Sequence, residues 1–296
     1  MTTPREALKI IQSLTVVLLL SCSAANLAAE EATSNTVPDA TALLLQVQEN
    51  QKIIDKIQEQ YACRKNIEQL EALKDGGFRT KATKDFEVIY LAGQEIDRLV
   101  AKDEKPLSSG EAQDENSRAE KKVMEFQKKQ QQKADRQARG ETKPEDEPGI
   151  STFLRVSRFT NPRRVEFRGK RVAAFDFEPL PGYKPKTRLE KVLQGLVGTA
   201  WVDEEAKEIV KLEAHFARSL KFGGGLLASV RPGSAFVFEQ ALVNNEVWLP
   251  VYAEIHMSAR VLVKGVKVDQ IIRYSDYRKF KVEMLTQFGK PKGKNE

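Results

Sequence analysis

Residues 198–214, GTAWVDEEAKEIVKLEA, predict a β-hairpin and, with it, the class of the fold. A strand that ends in Trp201-Val202-Asp203 runs into a polar turn, and the returning strand alternates apolar with charged residues, which is typical of a half-buried strand. We expect the residues from Asp203 to Lys207 to form a solvated tip, in which carboxylates are common without being catalytic. The apolar face of the returning strand is then predicted to consist of Val210, Leu212, Ala214 and Phe216.

Similar hairpin patterns occur on both sides of this stretch, separated by short turns rich in Gly and Asn, such as the turn predicted at Asn244-Asn245. Among the strands they predict are Phe78 to Leu91, with alternating residues, Phe153 to Phe159, and Val247 to Met257. Because strands joined by short turns pair antiparallel, they predict an α+β fold built on a strongly curved antiparallel sheet, an incomplete barrel of about ten strands. Two helices are predicted to cover it. One extends over about 40–60 behind the cap residue Asp39, and a basic one over about 111–139 lies in an insertion at about 103–149.

The composition allows a substantial core, since 41% of the 296 residues are hydrophobic and the formal net charge is only +6. The inserted helix is rich in Lys, Gln, Glu and Arg, but aromatic residues are not interleaved with its charges. A solvated helical face that could take a protein partner is therefore favoured over a nucleic-acid site, and no nucleic-acid partner is expected.

The N-terminus predicts an exported protein. Arg5 and Lys9 precede a short apolar run that ends at Leu20 and is followed by small residues, the pattern of a signal peptide over 1–25. Cleavage could leave Cys22 as a lipidated first residue, a possible membrane anchor, or remove it, and both routes remain open. The pattern therefore predicts a location outside the cytoplasm.

The domain organisation follows from the same composition changes. We expect a flexible lead over 26–38, a single domain over 39–285 and a disordered tail over 286–296. If Cys22 is removed or lipidated, Cys63 is alone and no intramolecular disulfide can form.

No catalytic set is evident in the sequence. His215 and His256 are its two histidines, and both lie in strand patterns as residues of a sheet face. The HExxH, CxxC and Gly-x-Ser-x-Gly motifs do not occur. We therefore expect a protein that is not an enzyme, with no catalytic residue, metal or cofactor; a hydrolase is the weakest alternative.

Three phrases carry a resemblance to a known group of proteins: GTAWVD leading into IVKLE at 198–213, NEVWLPV at 245–251 and YSDYRKF at 274–280. In this order they resemble the outer-membrane lipoprotein carrier and sorting superfamily, the LolA/LolB-like periplasmic proteins. The resemblance covers about 61–100 and 150–280. The inserted helix and the possible lipid on Cys22 depart from the soluble carriers. Together with the signal pattern, the resemblance implies a location in the periplasm or at the outer membrane of a Gram-negative bacterium.

The resemblance implies an incomplete barrel whose apolar concave face, lidded by helices, binds a lipid or lipoprotein acyl chain without catalysis. Burial of an acyl chain requires apolar area and shape more than polar groups. A structural or regulatory envelope module that binds a protein partner is the alternative. The residues predicted to line the concave face are Phe175, Phe177, Trp201, Leu212, Phe216, Phe236, Phe238, Trp248 and Tyr252.

Overall fold

A computed structural model describes residues 38–91, 94–140, 150–222, 228–261 and 264–279. The signal peptide, Cys22, most of the predicted lead and the C-terminal tail lie outside these residues. The described helices are α1 (Ala40–Gln58), α2 (Ser109–Ala138), α3 (Ile150–Val156) and α4 (Arg188–Leu193).

Thirteen strands in the described residues form one sheet. Their bounds are β1 Tyr61–Ala72, β2 Phe78–Leu91, β3 Gln94–Lys102, β4 Lys105–Pro106, β5 Ser157–Phe167, β6 Lys170–Pro179, β7 Leu196–Asp203, β8 Glu208–Phe216, β9 Leu220–Phe222, β10 Ala228–Val230, β11 Ala235–Val243, β12 Val247–Val261 and β13 Lys264–Lys279.

The strand order is β4-β3-β2-β1-β13-β12-β11-β8-β7-β6-β5, with β10 paired to β12 and β9. Every described pair is antiparallel, and the outermost strands β4 and β5 do not pair with each other in the described residues. The predicted α+β class with a large, open antiparallel sheet is therefore confirmed, with thirteen strands where about ten were expected.

Two predicted boundaries were wrong. A strand was expected from Phe153 to Phe159, but Ile150–Val156 is helical, because Ile150, Phe153 and Val156 repeat every three residues and all three turn towards the core. A break was expected after Met257, yet β12 continues to Val261, and its last residues pair with both β13 and β10.

Helix α1 begins where the sequence predicts. The side chain of Asp39 caps it by accepting a 2.8 Å hydrogen bond from the backbone nitrogen of Ala42. Leu43, Leu44 and Val47 are buried, and they pack with Phe175 on β6 and other strand residues in one cluster. We call the sheet face that receives α1, α3 and α4 the inner face, and the opposite one the outer face.

A β-bulge corrects the prediction for the hairpin at 198–214. The register of β7 and β8 shifts between Trp201 and Val202, so that Trp201 pairs with Lys211 and Val202 with Ile209. Val210 consequently leaves the face shared by Leu212, Ala214 and Phe216 and packs with Trp248 on the outer face.

The backbone of β8 lies very close to Gly198 at the start of the same hairpin. A Cβ atom added there would overlap the carbonyl oxygen of Glu213 and contact Cα of Ala214 at 2.9 Å. Since neither backbone atom can move aside without disturbing the ladder, the hairpin needs glycine at this position.

Candidate functional site

The inner face carries a continuous apolar cluster, which we call the inner cluster. It extends over both halves of the sheet, since it joins Val88 on β2 and Ile272 on β13 to Leu212 on β8 and Phe177 on β6. Alternation of side chains along each strand places these residues on one side. Helices α3 and α4 add Val156, Val192 and Leu193 from above the sheet.

Part of this cluster is open to solvent. Its half-buried members on the strands are Ile67 on β1, Phe86 on β2, Phe222 on β9, Phe236 on β11 and Val268 on β13. Large apolar side chains that share one face and remain partly accessible are typical of a surface that binds an apolar ligand or partner.

The residues predicted to line the concave face are divided by the structure into two groups. Phe177, Leu212, Phe216, Phe236 and Phe238 belong to the inner cluster, and Phe175 lies beside it against α1. Trp201, Trp248 and Tyr252 lie elsewhere. The two tryptophans pack in a small cluster on the outer face, and the hydroxyl of Tyr252 donates to Glu254 at 2.7 Å.

A group of buried charged side chains adjoins the inner cluster, and sequence reasoning did not identify it. Lys65 on β1 is only 5% exposed, and its Nζ makes ion pairs with Glu95 and, at 3.3 Å, with Asp97 on β3. Burial opposes the charge on Lys65, but the two carboxylates outweigh it, so the pKa of Lys65 is raised.

Asp97 connects this group to α2. Besides Lys65, it makes ion pairs with Lys122 and, at 3.5 Å, with Arg118. Burial opposes its charge, yet the three surrounding cations hold the pKa of Asp97 well below its usual range. The inserted helix is therefore fastened to β3 by a partly buried ionic contact.

Three tyrosine hydroxyls and the thiol of Cys63 lie between the charged group around Lys65 and the apolar residues of the inner cluster. The Tyr274 hydroxyl donates to Glu95 at 2.9 Å, and the Tyr90 hydroxyl lies 3.7 Å from Sγ of Cys63 and 3.4 Å from the Tyr277 hydroxyl. Burial, then the nearby Glu95, raises the pKa of Cys63 to about 12. This raised pKa disfavours the thiolate, which is the reactive form of a cysteine.

The solvated tip predicted from Asp203 to Lys207 is wrong for Asp203, which forms a pair of buried acids with Glu208, whereas Glu205 in the same turn is exposed. Asp203 is 2% and Glu208 is 1% exposed, and they face each other in the β7–β8 ladder. The indole Nε1 of Trp248 donates to Asp203 Oδ2 at 3.1 Å. Glu208 accepts from the backbone of Trp248, while its Oε2 has no partner, and burial followed by the charge on Asp203 raises its pKa well above the usual range.

The two histidines lie apart from the inner face. His215 is exposed on β8, whereas Nδ1 of His256 lies 3.0 Å from Asp269 and its Nε2 lies 2.8 Å from Glu254. Burial opposes the charge on His256, but the two carboxylates outweigh it and raise its pKa. Both ring nitrogens are engaged, so this imidazole has no free site from which to act as a general base.

Across the described residues, no three His, Cys, Asp or Glu side chains converge in a way that could hold a metal ion. None of the helices in that part of the chain combines the length and apolar character needed to cross a bilayer.

No protein-family model matches this chain, and no curated protein matches it. Among solved structures it is similar to a putative outer membrane lipoprotein-sorting protein domain from Vibrio parahaemolyticus, at 10% identity, with 79% of this chain and 94% of that one covered and a TM-score of 0.31. It is also similar to a DUF1329 family protein from Desulfovibrio piger, at 9% identity, with 81% and 91% covered and a TM-score of 0.26.

Proposed function

We propose that this protein binds the acyl chain of a lipid or lipoprotein on the inner face of its sheet and performs no catalysis. One observation carries the proposal. The inner cluster leaves Ile67, Phe86, Phe236 and other apolar side chains only partly buried on a single face. Burial of apolar area yields about 25 cal/mol per Å², so a single acyl chain along this face would supply several kcal/mol.

The inner face also has the polarity of a site for an amphipathic ligand. The charged group of Lys65, Glu95 and Asp97 lies at the β1–β3 end of the same face. A ligand with a polar head and an apolar tail could therefore place its tail on the inner cluster and its head near these charges. On this proposal the sheet is a half-barrel whose concave side is the inner face, with α1 as a lid.

We further propose that the chain is exported and works in the periplasm or at the outer membrane. The basic and apolar N-terminal pattern supports export, and Cys22 would supply an anchor if it is lipidated. The intact mass of the mature chain decides between lipidation and removal of Cys22.

Titration with cis-parinaric acid, a fluorescent C18 fatty acid, tests acyl binding. We expect saturable binding near one probe per chain, weakened about 5-fold or more by Phe236→Ala, because that ring contributes directly to the accessible apolar area of the inner face. Val237→Ala is the matched control, since Val237 is the next residue on β11 and faces the opposite side. Equal probe binding by both variants, each shown to be folded, would count against the proposal.

A protein-binding module is the second candidate, and one surface favours it. Leu73 and Phe78 flank the β1–β2 turn, and they are 39% and 44% exposed. Under this candidate Phe78→Ser would abolish capture of a partner from an envelope extract, while cis-parinaric acid would not bind the unmodified protein.

A further inference from the structure

The second half of α2 extends beyond the sheet. Residues of the first half turn a regular stripe towards β3, in which Glu115, Ala119, Lys122 and Phe126 are spaced three or four residues apart and are at least half-buried. After Phe126 the stripe ends, and every side chain whose exposure is described from Gln127 to Ala138 is exposed. Twelve further residues of α-helix extend by roughly 18 Å.

This projecting segment is strongly basic. Residues 127–139, QKKQQQKADRQAR, contain five basic residues and one acidic residue. Within the described part of the chain, Lys128 and Lys129 make no ion pair, and Arg136 donates to the backbone of Gln132 at 3.3 Å, within its own helix. The positive charges of these three side chains are thus not paired with a carboxylate of the described residues.

Several polar contacts hold the first half of α2 at the edge of the sheet. Lys102 pairs with Glu111 at 2.7 Å, Arg98 donates to Asn116 at 3.0 Å, and Asp97 makes ion pairs with Arg118 and Lys122. All of these contacts lie before residue 127, so the basic segment follows directly after the attached half of the helix.

We infer that the segment 127–139 docks on the anionic surface of a lipid bilayer. Protein interfaces centre on aromatic and large apolar side chains, and the segment 127–139 contains none. An anionic membrane needs no such anchor, because each Lys or Arg near it contributes about 1 kcal/mol of attraction. Met124, 61% exposed one turn before Lys128, is the single apolar side chain placed to enter the lipid surface.

Vesicle flotation tests the inference with the full chain carrying Cys22→Ala, so that no attached lipid contributes. We expect binding to vesicles of phosphatidylglycerol and phosphatidylethanolamine at low salt, lost at high salt because the contact is electrostatic. Binding through the apolar N-terminal run would instead be equal on phosphatidylcholine vesicles. Replacement of Lys128, Lys129 and Arg136 by Gln should reduce partitioning about 10-fold or more.

The matched control replaces Lys74, Lys81 and Lys105 by Gln, which removes the same charge from exposed positions outside α2. Its partitioning should stay within about 2-fold of the parent. Equal losses of partitioning in both triple variants, or no preference for anionic vesicles, would overturn the inference. It would also be overturned if the protein failed to bind vesicles but captured an acidic protein. The result is separate from acyl binding, because cis-parinaric acid should bind the α2 variant normally.

Discussion

The indole Nε1 of Trp248 donates a 3.1 Å hydrogen bond to Oδ2 of Asp203, and both side chains are almost fully buried. Asp203 also accepts from the backbone nitrogens of Glu205 and Ala206, at 2.9 and 3.0 Å. One carboxylate thereby fixes the β7–β8 turn and ties it to β12. Asp203, which the sequence predicts as part of a solvated hairpin tip, therefore has a structural role.

Loss of this indole donor is expected to destabilise the fold. Trp248→Phe keeps a large aromatic ring but leaves Asp203 short of a buried hydrogen bond, which costs about 1 to 3 kcal/mol. Urea unfolding measures the change. Trp201→Phe is the control, because Trp201 is only half-buried in the same outer cluster and its loss should cost less. Equal destabilisation by the two variants would show that the bond to Asp203 contributes nothing particular.

Glu208 makes stability depend on pH. Its pKa in the folded state is raised, so the folded protein holds a proton that the unfolded chain releases, and stability falls as the pH rises above the ordinary pKa of glutamic acid. Glu208→Gln removes this dependence and should be more stable than the parent by about 1 to 3 kcal/mol at pH 8, with the two converging below pH 4.

Glu205→Gln is the matched control for this pH effect, since Glu205 lies in the same turn with its side chain 89% exposed. Its free energy of unfolding should follow that of the parent at every pH. A Glu208→Gln variant that is less stable than the parent at pH 8 would contradict the assigned protonation.

Lys65 is expected to be the most sensitive of the charged residues. Lys65→Met leaves Glu95 without its cation in a buried setting, which costs about 3 to 5 kcal/mol. Adding Glu95→Gln to Lys65→Met should restore part of the loss, since the orphaned charge is removed. Thermal unfolding measures the stability of the single and the double variant. The control is Lys81→Met at an exposed position, which should change stability by less than about 0.5 kcal/mol.

Asp97 is expected to control the attachment of α2. Asp97→Asn weakens the contact with Arg118 and Lys122, so backbone amides in the first half of α2 should exchange with deuterium faster while those of β12 stay protected. Since the pKa of Asp97 is lowered, the parent should show the same loosening only as the pH falls below the ordinary pKa of aspartic acid. Unchanged exchange in the variant would mean that other contacts hold the helix.

Most of the architecture follows from local patterns, while the charged and acidic sites do not. Three local patterns predict their elements correctly, because each signal lies within a few neighbouring residues. They are the cap residue Asp39 for α1, the alternation of residues for β2, and Asn244-Asn245 for the turn between β11 and β12. Val210 could not be placed, since a bulge changes register without any mark in the periodicity.

The charged group around Lys65 could be identified only from the pairing of the strands in the structure. Lys65, Glu95 and Asp97 come from two strands that are not neighbours in the sheet, and each looks like an ordinary polar strand residue in the sequence. Asp203 was predicted as solvated for a similar reason. The burial of its turn depends on Trp248 of β12 and Asn50 of α1, which come from distant parts of the chain.

Native mass spectrometry of the protein purified from its own cell envelope tests acyl binding most directly. We expect a population whose mass exceeds that of the bare mature chain by one noncovalent lipid, and a Phe236→Ala chain in which that population is reduced while the Val237→Ala chain retains it. The proposal that the inner face holds an acyl chain would be contradicted if the parent protein showed only the mass of the mature chain without lipid, under conditions that preserve other protein–lipid complexes.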